Sequence, residues 1–544
     1  MKRTVLVVGC AAVVMFVSWP LMADPAGIWT SARHGSDLSA AIFFQWWMGQ
    51  VMVGDQSITS TDLLYHPAGL DMVPWVWNLV ALGLTCWLQL LFEPIAAYNL
   101  STIWVGLLNA GAFYLLGRRV GGDAGGVVAA SIGGAFPLAW FELFEGRLEQ
   151  GLVAPVALYV VALLDIDKPR GWLWVGLAMA LVGATWWFAP PFVALCTLPL
   201  VRRDTWRALG KAAGVAVVVV LPLLLFVWGR ATSVMSPVAS KALLMQQANA
   251  STPLDLAGSG PTALPWLALA GLLAAAFFRD ARKWLIAALI CIVLAAGPWV
   301  QWDGEPVRVG GWAIGLPLYW LDQLPGFIRF WWPSRLVLYI GVMAAGAVAW
   351  LVARIPSRAR WPVVLVVSTL VVVDGRRILR GAVADGEATI DASPLDPVRK
   401  GVFFSAEVPD WIREGGRTGA MIPFPLHLAP MTPAEPVLHH YVAYSGLPSL
   451  VGDAASAHDI RPAAFNERVA NNPFLAAWDE GSVPQSTDGL DTLREQGLRW
   501  VTWNVPPADH ASRPDWEREA LRMSAILGEP VRVEDRLIVW DLQR

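Results

Sequence analysis

The stretch Ser31–Pro74, SARHGSDLSAAIFFQWWMGQVMVGDQSITSTDLLYHPAGLDMVP, decides how this chain is read. It follows the first hydrophobic segment, Thr4–Ala23, and carries Asp37, Asp55, Asp62 and Asp71 together with His34 and His66. Between them stand Phe43, Phe44, Trp46 and Trp47, rings that favour the membrane–water interface. Carboxylates beside an aromatic helix, just after an apolar span, describe a site at a bilayer surface. The remainder of the chain then reads as the frame that holds it.

Composition supports a frame in lipid. Of the 544 residues, 56% are hydrophobic and only 15% are charged, where a soluble domain carries about 25% charged residues. The mean hydropathy is +0.50. These values and the long uncharged runs place the chain among polytopic membrane proteins. A net charge of −3 supplies no global basic field, which excludes nucleic acid as a partner. Cys10, Cys86, Cys196 and Cys291 all sit inside apolar segments, with no CxxC spacing. Neither a disulfide framework nor a zinc site is expected.

Hydrophobic segments recur from Val5–Met22 through Trp361–Val373, and each approaches the roughly 20 apolar residues of a spanning helix. Counting every segment as a span would put Arg118 and Arg119 outside. Laying Pro74–Phe92 along the interface removes that conflict. Arg118/Arg119, Lys168/Arg170, Arg202/Arg203/Arg207/Lys211, Arg279/Arg282/Lys283 and Arg354/Arg358/Arg360 then all face the cytoplasm, as the positive-inside bias requires. The expectation is a polytopic α-helical membrane protein of about eleven transmembrane helices, N-terminus cytoplasmic. Ala189-Pro190-Pro191 should break the helical run between Trp172 and Leu200.

The membrane part is expected over residues 1–380, with a long first outer loop over 24–98. From about residue 381 to 544 the composition turns soluble, and a periplasmic α/β domain is expected. Within it Thr418–His427 and Leu498–Val505 read as strands, Thr487–Gly497 and Pro514–Leu527 as helices, and Val531–Leu542 as a closing hairpin.

Three clusters carry candidate chemistry. Asp37 behind Ser36 is suited to the first turn of the interfacial helix, where a carboxylate complements the dipole. Held at the outer membrane surface, it could equally take a proton from a hydroxyl or bind a metal. Glu142, Glu145 and Glu149 are spaced i, i+3, i+7, and on one helix face like charges repel. Folding gives no reason to align them, so they point to function or to a cation; a solvated helix end with Arg147 as counter-ion is the plainer reading. In LPGFIRFWWPSRLVLYI, Arg329 and Arg335 flank aromatics that include Trp331 and Trp332, and Pro333 can open a helix. Two outer arginines run against the positive-inside bias and invite a lipid phosphate, which guanidinium binds bidentately. Snorkelling to ordinary headgroups is the alternative. GRRVGGDAGG lacks the Lys-Ser/Thr of a phosphate loop and reads as a cytoplasmic turn.

The order of these elements resembles the GT-C superfamily of membrane glycosyltransferases, which includes protein O-mannosyltransferases and bacterial aminoarabinose transferases. The resemblance rests on HGSDLSAAIFFQWW with the following LLYHPAGLDM, on YLLGRRVGGDAGG, on GRLEQG, and on LPGFIRFWWPSR before a late span. It covers the membrane part by order and topology rather than by a sharp motif. It implies an enzyme of the bacterial inner membrane that moves a sugar from a polyprenyl-phosphate donor to an acceptor glycan, lipid or protein outside the membrane. Asp37 matches the catalytic base, and Glu149 or Glu145 matches the second acidic position, where many relatives carry Asp. Arg329 and/or Arg335 would hold the lipid phosphate; His34, His66, Trp331 and Trp332 are candidate acceptor or donor contacts. A divalent cation is the one cofactor the carboxylates invite. The competing reading keeps the fold without the reaction, as a scaffold or a lipid-linked-sugar translocase. A transporter would carry mid-membrane charges and internal repeats, and neither is visible.

Overall fold

The computed structural model describes residues 3–19, 21–30, 38–72, 79–231, 246–247, 250–258, 260–302, 305–321, 332–384, 404–405, 408–424, 437–450, 463–479, 484, 486–505, 513–535 and 537–544. Its centre is the helix Val337–Ala353, VLYIGVMAAGAVAWLVA, almost every residue of which is buried. Small side chains let neighbours approach closely, which is how helices associate where no water drives them together. The run Pro94–Gly134 packs along it. That run turns back at Gly121 and Gly122, where Gly122 takes φ +68° and the helical dihedrals are lost. Gly117 then lies on Gly125 and Gly126 on Tyr114, so 94–120 and 123–134 form an antiparallel pair. A Cβ at Gly121 would run into the Ala349 carbonyl. The expected turn at GRRVGGDAGG is therefore a tight helical hairpin.

Three helical runs among the described residues are long and apolar enough to cross a membrane: Pro94–Phe144, Arg203–Leu223 and Pro333–Ala353. Pro333–Ala353 is 83% buried within the protein, whereas Arg203–Leu223, of mean hydropathy 1.6, is only 6% buried. An apolar helix so little covered by protein has lipid as its natural solvent. The expected count of about eleven is not reached on length alone. Seven shorter apolar helices, among them Leu38–Val53, Leu79–Leu90, Gly171–Thr185 and Ala189–Leu200, pack beside them, together with Arg282–Ala295 and Ser357–Ala384. Leu79–Leu90 falls short of the roughly 20 residues of a span and leaves Leu84, Trp87 and Leu90 exposed, a shape suited to an interface. The break before Ala189 is present, with Pro at the start of the second helix.

Near the C-terminus the strands fall inside the expected stretches. A four-stranded sheet runs in the order Arg532–Val533, Leu537–Asp541, Leu498–Asn504, Ala420–Phe424. Leu498–Asn504 pairs antiparallel with Leu537–Asp541 and parallel with Ala420–Phe424. Helices Leu490–Glu495 and Arg513–Leu527 flank the central strand in sequence.

This C-terminal region is clasped to the segment that follows the first helix, Arg3–Ser18. Ile28–Trp29 pairs antiparallel with Phe404–Ser405. The His66 amide donates to the Ser449 carbonyl (2.9 Å), and the Ser449 amide to the Leu63 carbonyl (2.8 Å). Tyr65 meets Phe465 edge-on at 4.9 Å, and Arg413 pairs with Glu93 at 2.8 Å. Ile28–Trp29, Leu63–His66 and Glu93 are thus packed against the C-terminal region. Arg335, at the start of the central helix, begins at one end of it, and Arg354 closes the other.

Candidate functional site

The acidic turn is shaped by its punctuation. Pro137 opens the helix Pro137–Phe144, Glu145 closes it, and Gly146 follows at φ +94°, the left-handed conformation that ends helices. A second short helix, Leu148–Gly151, then begins. The three glutamates consequently do not share one continuous helix face. Glu142 and Glu145 are buried and Glu149 is half-buried.

Opposite, Pro333 starts a 3₁₀ turn, Pro333–Leu336, that runs into the central helix. It delivers Arg335 to the acidic turn. Arg335 Nε donates to Glu142 Oε1 at 3.2 Å, and Arg147 Nη1 donates to Glu142 Oε2 at 3.0 Å. The side chains of Glu142 and Arg335 are 4% and 8% exposed. The Arg335 guanidinium also stands 4.5 Å from the centroid of the Trp332 ring, a cation–π contact strengthened where water is excluded. Arg147 is the counter-ion expected from sequence, but the carboxylate it serves is buried and bridges two arginines rather than being solvated.

The turn is also tied to the segment that follows the first helix. Tyr98 Oη donates to the Leu143 carbonyl (2.8 Å) and Thr30 Oγ1 to the Phe144 carbonyl (3.1 Å). Asn99 Nδ2 holds the Ile28 carbonyl (2.7 Å) and the Pro25 carbonyl (2.8 Å). Thr30, the last described residue before the 31–37 stretch, is therefore held beside the acidic turn.

Of the residues singled out from sequence, Glu145, Glu149, Trp332 and Arg335 lie on these two segments. Glu149 Oε1 accepts from Gln150 Nε2 at 3.1 Å. His66 is set against the C-terminal region instead, its carbonyl accepting from Arg468 Nη1 at 2.9 Å. Asp37, His34, Arg329 and Trp331 lie outside the described residues. Glu142 is the residue that sequence reasoning grouped but did not place in the site. Its signal was present: it stands inside the apolar run PLAWFELF, where an unpaired charge is costly and a distant cation is required.

Among the described residues no three His, Cys, Asp or Glu side chains gather at metal-binding distance. Glu142 has both oxygens taken by guanidinium groups.

No protein-family model matches the chain, and no curated protein sequence does. The solved structures it resembles include an archaeal oligosaccharyltransferase and a mycobacterial arabinofuranosyltransferase. One is the Archaeoglobus fulgidus oligosaccharyltransferase in complex with Zn and sulfate, with a TM-score of 0.49 and 12% identity over 92% of this chain and 68% of that one. The archaeal oligosaccharyltransferase AglB from Archaeoglobus fulgidus, in complex with an inhibitory peptide and a dolichol-phosphate, gives 0.43 and 13%, over 92% and 69%. The arabinofuranosyltransferase AftD from Mycobacteria gives 0.47 and 16%, over 100% of this chain and 41% of that one.

Proposed function

We propose that this chain transfers a sugar from a polyprenyl-phosphate-linked donor to an acceptor glycan, lipid or protein at the periplasmic face of a bacterial inner membrane. The observation that carries the reading is Arg335, buried at the start of the central helix, oriented by Glu142 and backed by Trp332. Glu142 restrains the guanidinium before any ligand arrives, so little ordering remains to be paid on binding. A cation fixed in advance where a phosphate leaves is an effective form of transition-state stabilisation.

In this reading Asp37 accepts the acceptor's hydroxyl proton as the oxygen attacks the anomeric carbon. The bond from that carbon to the phosphate oxygen breaks, and the polyprenyl phosphate departs against Arg335 and/or Arg329. Glu145 or Glu149 orients the acceptor. Residues 1–380 form the membrane part, with about eleven passes and a cytoplasmic N-terminus; residues 381–544 form the periplasmic domain. The clasp between residues 24–98 and the C-terminal sheet supports a shared side for both.

The test is to incubate the purified full-length protein with a panel of polyprenyl-phosphate sugars and follow donor consumption, alongside Asp37→Asn. Consumption by the wild type and its loss in the variant are expected. An intact, folded protein that consumes no donor in the panel would turn the reading to a scaffold or translocase.

A further inference from the structure

We infer that the end of the bundle away from Arg335 holds a second, unrelated site: a cavity of about 260 Å³ in which Arg119, Arg202 and Lys283 bind the phosphate of an anionic membrane lipid.

Three segments far apart in sequence bring these cations to one concave surface: Arg119 from the run Pro94–Gly134, Lys283 from the first turn of Arg282–Ala295, and Arg202 from a loop. Trp284 and Trp350 wall it, and Asp167 stands at its edge. Trp350 lies 15 positions beyond Arg335 on one helical run, which at 1.5 Å per residue is roughly 22 Å away. The two sites are therefore separate.

The charge arrangement favours an anion. Arg119 is oriented by Asp165, its Nε 2.6 Å from Oδ1, and Arg202 by Asp204 at 2.5 Å and Asp167 at 3.4 Å. Lys283, half-buried, has no carboxylate within 4.0 Å among the described residues and lies 6.0 Å from the centre of the Trp284 ring. The lining itself carries Arg119, Arg202 and Lys283 against Asp167, and Lys283 feels the charge of Asp280 without forming an ion pair with it, so the wall of the cavity is positive on balance. The surroundings reinforce this: the turns 118–123, 165–170, 202–211, 279–283 and 354–360 carry fourteen Lys and Arg against five Asp.

The ligand's other half is read from the walls. Apart from these charged groups the lining is aliphatic or aromatic, and Leu198 and Trp206, on the same segment as Arg202, are exposed apolar residues. A ligand with a phosphate and an apolar body matches both surfaces, and basic pockets between helices at a membrane face take lipid headgroups in this way. The volume suits a headgroup, with the acyl chains left in the bilayer. This inference rests on the membrane reading of the chain and not on sugar transfer.

Lys283→Gln is the informative variant, because it removes a cation without breaking an ion pair. Full-length protein in neutral detergent is titrated with dioctanoyl phosphatidylglycerol, with dioctanoyl phosphatidylcholine, and with inorganic phosphate, and binding is read by native mass spectrometry. Wild type should favour phosphatidylglycerol over phosphatidylcholine. Lys283→Gln should bind phosphatidylglycerol about tenfold more weakly, as for loss of one charged hydrogen-bond partner. Lys283→Arg should retain binding. Lys211→Gln, which removes a cation over Trp172 on the same basic end, should bind as wild type. Displacement of the lipid by millimolar inorganic phosphate from wild type, but not from Lys283→Gln, would keep the site and make free phosphate its ligand. Wild-type affinity in Lys283→Gln, or equal binding of the two lipids, overturns the inference. Donor consumption should be unchanged in Lys283→Gln, so failure here and failure of the transferase reading are told apart.

Discussion

Removing Glu142 tests the centre of the candidate site. Its carboxylate bridges two guanidinium groups at 3.0 and 3.2 Å, with 4% of its own side chain and 8% of Arg335 exposed. A hydrogen bond to a charged group contributes about 1.5–3 kcal/mol. The Arg147 contact counts for less, because that side chain is 19% exposed. Glu142→Ala also strands Arg335 without its carboxylate, and breaking a buried pair in this way costs about 3–5 kcal/mol. Glu142→Gln keeps an acceptor but loses the charge and should cost somewhat less. The apolar pair Glu142→Leu/Arg335→Met removes both charges and should recover much of the loss, since paired buried ions are often replaceable by packed apolar groups. The measurement is urea unfolding in detergent for Glu142→Leu, Arg335→Met and the double, closed as a cycle with wild type. A coupling of about 1–3 kcal/mol is expected for groups in direct contact. Singles within about 1 kcal/mol of wild type, or strict additivity, would show that the pair is not energetically coupled and that Glu142 does not hold Arg335.

Asp37→Asn should fold and insert normally yet lose transfer by roughly 10²–10⁴-fold, the contribution of a positioned base; Asp55→Asn and Asp62→Asn serve as controls, and near-normal transfer would remove Asp37 from the mechanism. Arg329→Ala and Arg335→Ala should weaken donor binding while Lys only partly restores it, and unchanged lipid binding in both Ala variants would return these residues to headgroup anchoring. In a cysteine-free background, Cys at the exposed position 521 should label in intact cells and Cys at 119 should not; reaction at 119 would overturn the sidedness. Burial alone would raise the Asp541 carboxyl, but hydrogen bonds from Arg499 and the Gln543 amide, with the Arg499 charge, hold it below the usual carboxylate range. Its contribution to the sheet is therefore present above about pH 4 and lost as pH falls through the depressed value. Hydrogen exchange at Leu498–Asn504 should accelerate with acid in wild type and depend less on pH in Asp541→Asn.

Much of this architecture was legible in one dimension because its cause is local. A chain with 15% charge and repeated apolar runs has to satisfy its backbone internally in lipid, which means helices. The hairpin at Gly121-Gly122 and the break before Ala189-Pro190-Pro191 follow from the dihedral limits of Gly and Pro. The C-terminal strands lie in the expected stretches because alternation and turn residues mark them within a few positions.

Partnership across distance was not legible in that way. Glu142 and Arg335 are 193 positions apart, and nothing in either apolar run says which buried cation meets which buried anion. One sequence cue even pointed elsewhere: the i, i+3, i+7 spacing suggested one acidic face, but Gly146 ends the helix before Glu149 is reached. The junction that the His66 main chain makes with Ser449 and Arg468 had no sequence cue at all. Similarly, five basic turns could be assigned to one side by charge alone, but only packing brings Arg119, Arg202 and Lys283 around one cavity. Local rules set where helices begin and end. Which charges share a dry interior is decided by how the helices cross, because the cost of burying each one depends on the partner that the fold delivers.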